Sequence, residues 1–223
     1  SDSKIAWCDD TVNPWWGCTA VSEACRFCYA QSWSERWGKK LWGPSADRWI
    51  RTDAAVKELR AIARRGDKEG RPRRVFIASM SDFFENRPEL VEPRRRIFDA
   101  LDELSGRVTV LCLTKRIGLV RDMLPADWTA NPRPWFWLGT TVEDQATADA
   151  RIPLLLATPA AVRFVSAEPL LGPVDLQYSA FNGADSLESM EGLHWIIVGG
   201  ESGPHARPMH PDLAPDPDLP DDT

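Results

Sequence analysis

Five short apolar runs recur at intervals of roughly thirty residues: RVFIAS (74–79), RVTVLCLT (107–114), PWFWLGTTV (134–142), AVRFVSAEP (161–169) and HWIIVGGES (194–202). Each is apolar on consecutive positions instead of alternating ones, which is the pattern of a strand buried on both faces. Between them lie segments of helical period. Residues 52–65 place Ala55, Leu59 and Ile62 on one face, with Thr52 as the expected cap. Residues 91–104 carry Val91, Ile97, Leu101 and Leu104, and residues 144–156 predict a further helix interrupted near its end by Pro153. Strand and helix alternating at this length make βαβ units on a parallel sheet. A sixth, weaker strand is expected near residues 5–7 or 12–16, with a first crossover helix over 26–38. Six such units build either a partial barrel or an open doubly wound sheet.

The chain has 223 residues and 43% apolar content, enough for one large domain over residues 1–210. The acidic, proline-rich stretch 211–223 is expected to be a disordered tail. No apolar run approaches the ~20 residues of a membrane span, and the N-terminus shows no signal peptide, so a cytoplasmic protein without a membrane partner is expected. A net charge of −6 argues against a broad nucleic-acid-coating surface. The densest positive runs, RPRR (71–74) and RRR (94–96), read as solvated faces.

In parallel α/β folds chemistry sits beyond the carboxyl ends of the strands. Those positions hold Ser79, Ser81 and Asp82, then Thr114, Lys115 and Arg116, then Thr140, Thr141 and Glu143, then Ser166 and Glu168, then Gly199, Gly200, Glu201 and Ser202. Loop capping accounts for some of these hydroxyls and glycines. Three carboxylates on one rim repel unless they have partners or a ligand. No G-x-G-x-x-G and no G-x-x-x-x-G-K-[ST] occurs, and the three histidines, His194, His205 and His210, seed no catalytic triad.

Of five cysteines, three are clustered: Cys18, Cys25 and Cys28. Thiolates at such spacing suit zinc or an iron–sulfur cluster. Zinc wants a fourth ligand, for which Cys8 is the candidate. A four-iron cluster held by three cysteines keeps one iron open. Cys112, inside an apolar run, reads as an inert core thiol.

The segments NPWWGC (13–18), CRFCYA (25–30), SMSDFFE (79–85), LTKR (113–116), VRFVSAEPLLGPVDL (162–176) and IIVGGESGPHARPMHP (196–211) resemble an uncharacterised phage-associated family similar to radical S-adenosylmethionine proteins, and more loosely spore photoproduct lyase. The usual superfamily motif is C-x-x-x-C-x-x-C; here six residues separate the first two cysteines. The resemblance implies a partial (β/α)6 TIM-like barrel with the cysteine loop after its first strand. It implies a [4Fe–4S] cluster on Cys18, Cys25 and Cys28, with S-adenosylmethionine on the open iron. It further implies contacts from Ser79, Ser81 and Asp82 to the methionine amino group, and from Thr140, Thr141 and Glu143 to the ribose. Ser166 and Glu168 would lie on the next strand, Gly199, Gly200 and Glu201 near the adenine, and Lys115 and Arg116 near the cofactor carboxylate or an anionic substrate. An enzyme of this kind draws one electron from an external donor and forms a 5′-deoxyadenosyl radical that abstracts hydrogen from substrate. A nucleobase or nucleotide is the expected substrate class. The alternatives are a non-catalytic zinc module on Cys8, Cys18, Cys25 and Cys28, and a nucleic-acid-binding partner protein with a structural cluster.

Overall fold

A computed structural model describes residues 3–176, 192–202 and 205–209. Its elements in chain order are β1 (Asp10–Val12), β2 (Trp15–Trp16), α1 (Tyr29–Arg36), β3 (Trp49–Ile50), α2 (Thr52–Glu69), β4 (Arg73–Ile77), α3 (Val91–Leu104), β5 (Val108–Thr114), α4 (Ile117–Met123), α5 (Ala126–Ala130), β6 (Phe136–Thr141), α6 (Gln145–Ala157), β7 (Val162–Ala167) and β8 (Trp195–Val198). The five expected strands are β4 to β8. The sixth is β1, which meets the expected 12–16 stretch only at Val12. The tail at 211–223 and His210 lie outside the described residues.

Six strands form one parallel sheet in the order β1-β4-β5-β6-β7-β8, and β2 pairs antiparallel with β3 in a separate ribbon. Spatial order follows chain order throughout. A doubly wound sheet reverses its order at a switch point, and none occurs here. Right-handed crossovers that never reverse place their helices on one face of the sheet. That face carries the main core: Val75, Ile77, Val110, Cys112, Leu138 and Val165 from the strands, against Leu59, Ile62, Ile97, Leu101, Ile152 and Leu155 from the helices.

The other face is aromatic. Phe164, Leu111 and Ile197 pack there with Trp7, Trp137 and Trp195. Trp7, which precedes β1, contacts Phe76 at 4.7 Å between ring centroids and reaches Trp195 of β8 at 6.5 Å. A flat six-stranded sheet would hold its outer strands about 24 Å apart, at about 4.8 Å per spacing. Rings from its two margins meet because the sheet is strongly curved, with the aromatic side concave. Hydrogen-bonded pairing does not close the sheet among the described residues.

Local chemistry shifts several expected boundaries. Thr52 is the first helical residue and not the cap; its hydroxyl points to the Pro14 carbonyl at 3.4 Å. The helix expected over 26–38 begins only at Tyr29, because residues 23–25 form a 3₁₀ turn and Cys28 is not helical. Pro153 does not end α6, which runs on to Ala157 from a capping box of Asp144 and Thr147. No helix among the described residues is long and apolar enough to cross a membrane.

Candidate functional site

Asn13 follows β1 and ties its exit to that of β4. Its side-chain oxygen accepts from Met80 N at 2.8 Å, and its amide donates to Ser79 Oγ at 3.1 Å. Gly17 continues the alignment, donating its N–H to the Met80 carbonyl at 3.1 Å. Its φ is +108°, and a Cβ there would stand 2.5 Å from the Leu41 carbonyl oxygen, so only glycine fits. The next residue is Cys18, whose carbonyl accepts from Gly43 N at 2.9 Å.

From Cys18 the chain arches across the carboxyl end of the sheet and is fastened beyond β4, β5, β6 and β8. Arg116, beyond β5, donates to the Thr19 carbonyl at 2.7 Å. Ser22 donates to Glu143 Oε1, beyond β6, at 2.7 Å. Glu23 is bound by Arg207 at 3.0 Å, and Arg207 also holds Glu201, beyond β8, at 2.8 Å. Tyr29 donates its hydroxyl to the Ser79 carbonyl, beyond β4, at 2.6 Å. Beneath the arch lies a cleft open to solvent, lined by Cys18, Cys25 and Cys28 together with Ser79, Ser81, Asp82, Thr114, Lys115, Arg116 and Thr141. Phe76 and Leu113 contribute its apolar lining, with Val21, Tyr29 and Trp42 from the arch and its neighbouring loop.

The structure thus brings together the three clustered cysteines with Ser79, Ser81, Asp82, Lys115 and Thr141. It keeps the remaining predicted residues out of the cleft lining. Thr140 is fully buried and donates to the Thr114 carbonyl at 2.9 Å. Glu143 is buried and engaged by Ser22 and by Arg151 at 2.8 Å. Ser166 bonds Glu168 at 3.2 Å. Glu168 crosses Gly199 so closely that a Cβ at Gly199 would collide with its Oε1; this glycine makes room for a carboxylate of the same chain. Gly200 lies beside Met209, and Glu201 is paired with Arg207. The three carboxylates on the rim therefore have protein partners.

Asp82 is a hub. Its carboxylate accepts from Phe84 N at 3.0 Å, Thr114 Oγ1 at 2.7 Å, Lys115 N at 3.1 Å and Arg116 Nη1 at 2.8 Å. With both oxygens engaged, its role in this structure is to aim Arg116, whose Nη1 lies 3.7 Å from Cys18 Sγ. Burial pushes the Cys18 thiol up to about 12, and the Asp82 charge adds to the rise while Arg116 opposes it. A metal or cluster bound there has to displace that proton.

A buried pair supports this layer. Arg48 donates to Glu85 twice, at 2.8 and 2.7 Å, to the carbonyls of Leu41 at 3.1 Å and Ala46 at 2.6 Å, and to Thr19 Oγ1 at 2.9 Å. Burial alone would raise the Glu85 pKa, but the bonds from Arg48 and Thr19 overcome it and the net shift is downward. Sequence reasoning missed this pair and gave Asn13 no role, because each acts on partners tens of residues away.

The other thiols lie elsewhere. Cys112 is fully buried in β5, as expected, and burial raises its pKa well above the ordinary value. Cys8 sits at the amino end of the strands, beside Asp9, Glu69, Arg71 and Arg73, with its thiol 3.5 Å from Ser3 Oγ. The four-cysteine set that a closed zinc site needs is not assembled in this arrangement. Among the described residues no group of cysteines, histidines and carboxylates converges tightly enough for a single ion. A four-iron cluster asks for something different, since its sulfur ligands bind separate irons at separate corners. Three unpaired thiols around one cleft suit that donor set. The Ser81 hydroxyl is buried there without a hydrogen-bond partner among the described residues.

In the arginine runs Arg71, Arg95 and Arg96 are solvated, as expected, though ion-paired, while Arg73 and Arg94 are buried. Arg71 pairs with Asp9, Arg73 with Asp10 and Glu69, Arg95 with Glu92 and Asp99, and Arg96 with Asp53. Arg94 is buried, donating to the carbonyls of Phe83 and Glu85. His194 is structural, accepting from Arg163 N at 3.2 Å.

Neither the curated proteins nor the solved structures contain a significant match to this chain. A family model described as a protein of unknown function, DUF5131, matches residues 2–216, and the chain belongs to that family.

Proposed function

We propose that this protein is a radical S-adenosylmethionine enzyme, and that its curved sheet is a partial (β/α)6 barrel with the site at its carboxyl end. The observation that carries the reading is the single cleft lined by Cys18, Cys25 and Cys28 together with Ser79, Ser81 and Lys115. The three cysteines would hold a [4Fe–4S] cluster. When bound, such a cluster supplies one electron, taken from an external donor, that cleaves S-adenosylmethionine to a 5′-deoxyadenosyl radical able to abstract hydrogen from substrate.

This chain's own residues do the rest. Arg116, fixed by Asp82, keeps a positive charge beside Cys18 and steadies a thiolate there. Lys115 has no carboxylate partner among the described residues and is available to a ligand carboxylate. The Ser81 hydroxyl is available to a ligand amine or hydroxyl. Phe76, Leu113 and the aromatic layer beyond them shield the site from water arriving from the opposite end of the sheet.

Anaerobic reconstitution tests the reading. About four irons per chain and release of 5′-deoxyadenosine after reduction are expected. Cys18→Ala should abolish both, and Cys8→Ala should change neither. One tightly held zinc per chain, lost in Cys8→Ala, would establish the zinc module instead.

A further inference from the structure

Beside the cleft, α1 presents an aromatic stripe. Tyr29, Trp33 and Trp37 follow at helical i, i+4, i+8 spacing, and all three are exposed, at 43, 49 and 67%. Successive members stand about 6 Å apart along the axis. The stripe starts inside the site, since Tyr29 lines the cleft, and runs outward from it. Beyond its far end Lys39 lies 3.9 Å above the centre of the Trp49 ring, and Arg51 lies 4.9 Å from the same ring. Trp49 is itself 37% exposed.

Charge on this surface opposes that of the molecule. Residues 26–51 hold six lysines and arginines against two acidic residues, in a chain of net charge −6. Arg48 is buried with Glu85, but Arg36, Lys39, Lys40 and Arg51 form no ion pair among the described residues. Arg71, Arg73 and Arg94 to Arg96, in contrast, are held by carboxylates or by backbone carbonyls. Exposed rings interleaved with cations that have no carboxylate partner are the means by which proteins hold unpaired bases and the phosphates between them.

We infer that the Tyr29–Trp33–Trp37 stripe with Lys39, Lys40 and Arg51 is a track for single-stranded nucleic acid, leading an unpaired base toward the cysteine-lined cleft. Binding along the track stands on the surface alone; delivery of a base for hydrogen abstraction rests on the reading of the cleft given above. Stacking on the rings tolerates any base, so the track fixes the class of substrate and not its sequence.

The test is fluorescence anisotropy of a labelled oligothymidylate of about twenty nucleotides, titrated with the full chain at about 50 mM and about 200 mM salt. It needs neither cluster nor S-adenosylmethionine, so its failure leaves the cleft reading standing, and a failed reconstitution leaves the track standing. Saturable binding that weakens with salt is expected, with a duplex of the same length held less tightly. Trp33→Ala combined with Trp37→Ala should weaken binding about tenfold or more, since each stacked base is worth a factor of about 5 to 150. Lys39→Glu with Lys40→Glu should weaken it and flatten its salt dependence, while Lys57→Glu, on the exposed side of α2, should match the parent chain. Circular dichroism should show all variants folded, because the altered residues are surface groups. Absence of saturable binding at low salt would overturn the inference and return the stripe to a protein partner. Undiminished binding by the folded double tryptophan variant would overturn it too.

Discussion

Arginine–carboxylate networks occupy both ends of the sheet, and they are built differently. At the amino end Asp9, Asp10 and Glu69 meet Arg65, Arg71 and Arg73, so that charges answer one another within the cluster. At the carboxyl end Arg48, Arg116 and Arg207 each bind a carboxylate and, with their remaining donors, the backbone of the cysteine arch or the loop beside it. The first network joins strand to helix. The second converts a loop that crosses four strand ends into a fixed roof, and leaves Lys115 and the Ser81 hydroxyl uncommitted beneath it. The difference separates a fold's fastening from a site's scaffold, although the residue types are the same.

Arg48→Ala should expose that difference most strongly. It strands the buried Glu85 charge and frees the Leu41, Ala46 and Thr19 contacts, for an expected loss of about 3–5 kcal/mol in denaturant unfolding. Arg71→Ala, at the half-exposed amino-end pair, should cost far less in the same measurement. Equal losses would erase the distinction.

The pH dependence sharpens it. A hydrogen bond from Arg71 holds the Asp9 carboxyl down at about 2, against an ordinary value of 3.8. Its stabilisation is complete above the unfolded value and is lost as pH falls through about 2. Asp9→Asn should therefore flatten the stability profile below about pH 4 while lowering neutral-pH stability by no more than about 1 kcal/mol after solvent screening.

The smallest effect is chemical. In the metal-free protein the Cys18 thiol, raised to about 12, should resist iodoacetamide at about pH 8 and gain reactivity only toward strongly alkaline pH, as read by peptide mass spectrometry. Arg116→Gln removes the opposing charge and should slow that alkylation further. Rapid modification of Cys18 at neutral pH would show that burial does not govern it.

The strands were legible because burial on both faces writes itself into consecutive apolar residues, as in Val108–Thr114 and Phe136–Thr141. Cys112 was legible for the same reason. The cysteine cluster and the hydroxyls at Ser79, Ser81 and Thr141 were found because crossover topology dictates which ends of strands meet. What local pattern could not convey was commitment. Asp82 and Glu143 are carboxylates at strand ends like any ligand-binding pair, and only tertiary packing shows them engaged by Arg116 and Arg151. The choice between a barrel-like curve and a doubly wound sheet was open for a similar reason, since a sequence of βα units does not state the spatial order of its strands. That Tyr29, Trp33 and Trp37 stand exposed on one line came only from the packing of the helix that begins at Tyr29.

The concave face has a further consequence for traffic. Trp7, Phe76, Phe164 and Trp195 pack ring against ring at its closed end, so the cleft is a cul-de-sac. A molecule lying against Phe76 and Leu113 rests on this ring-packed floor, with Val21 and Trp42 on the side of the arch.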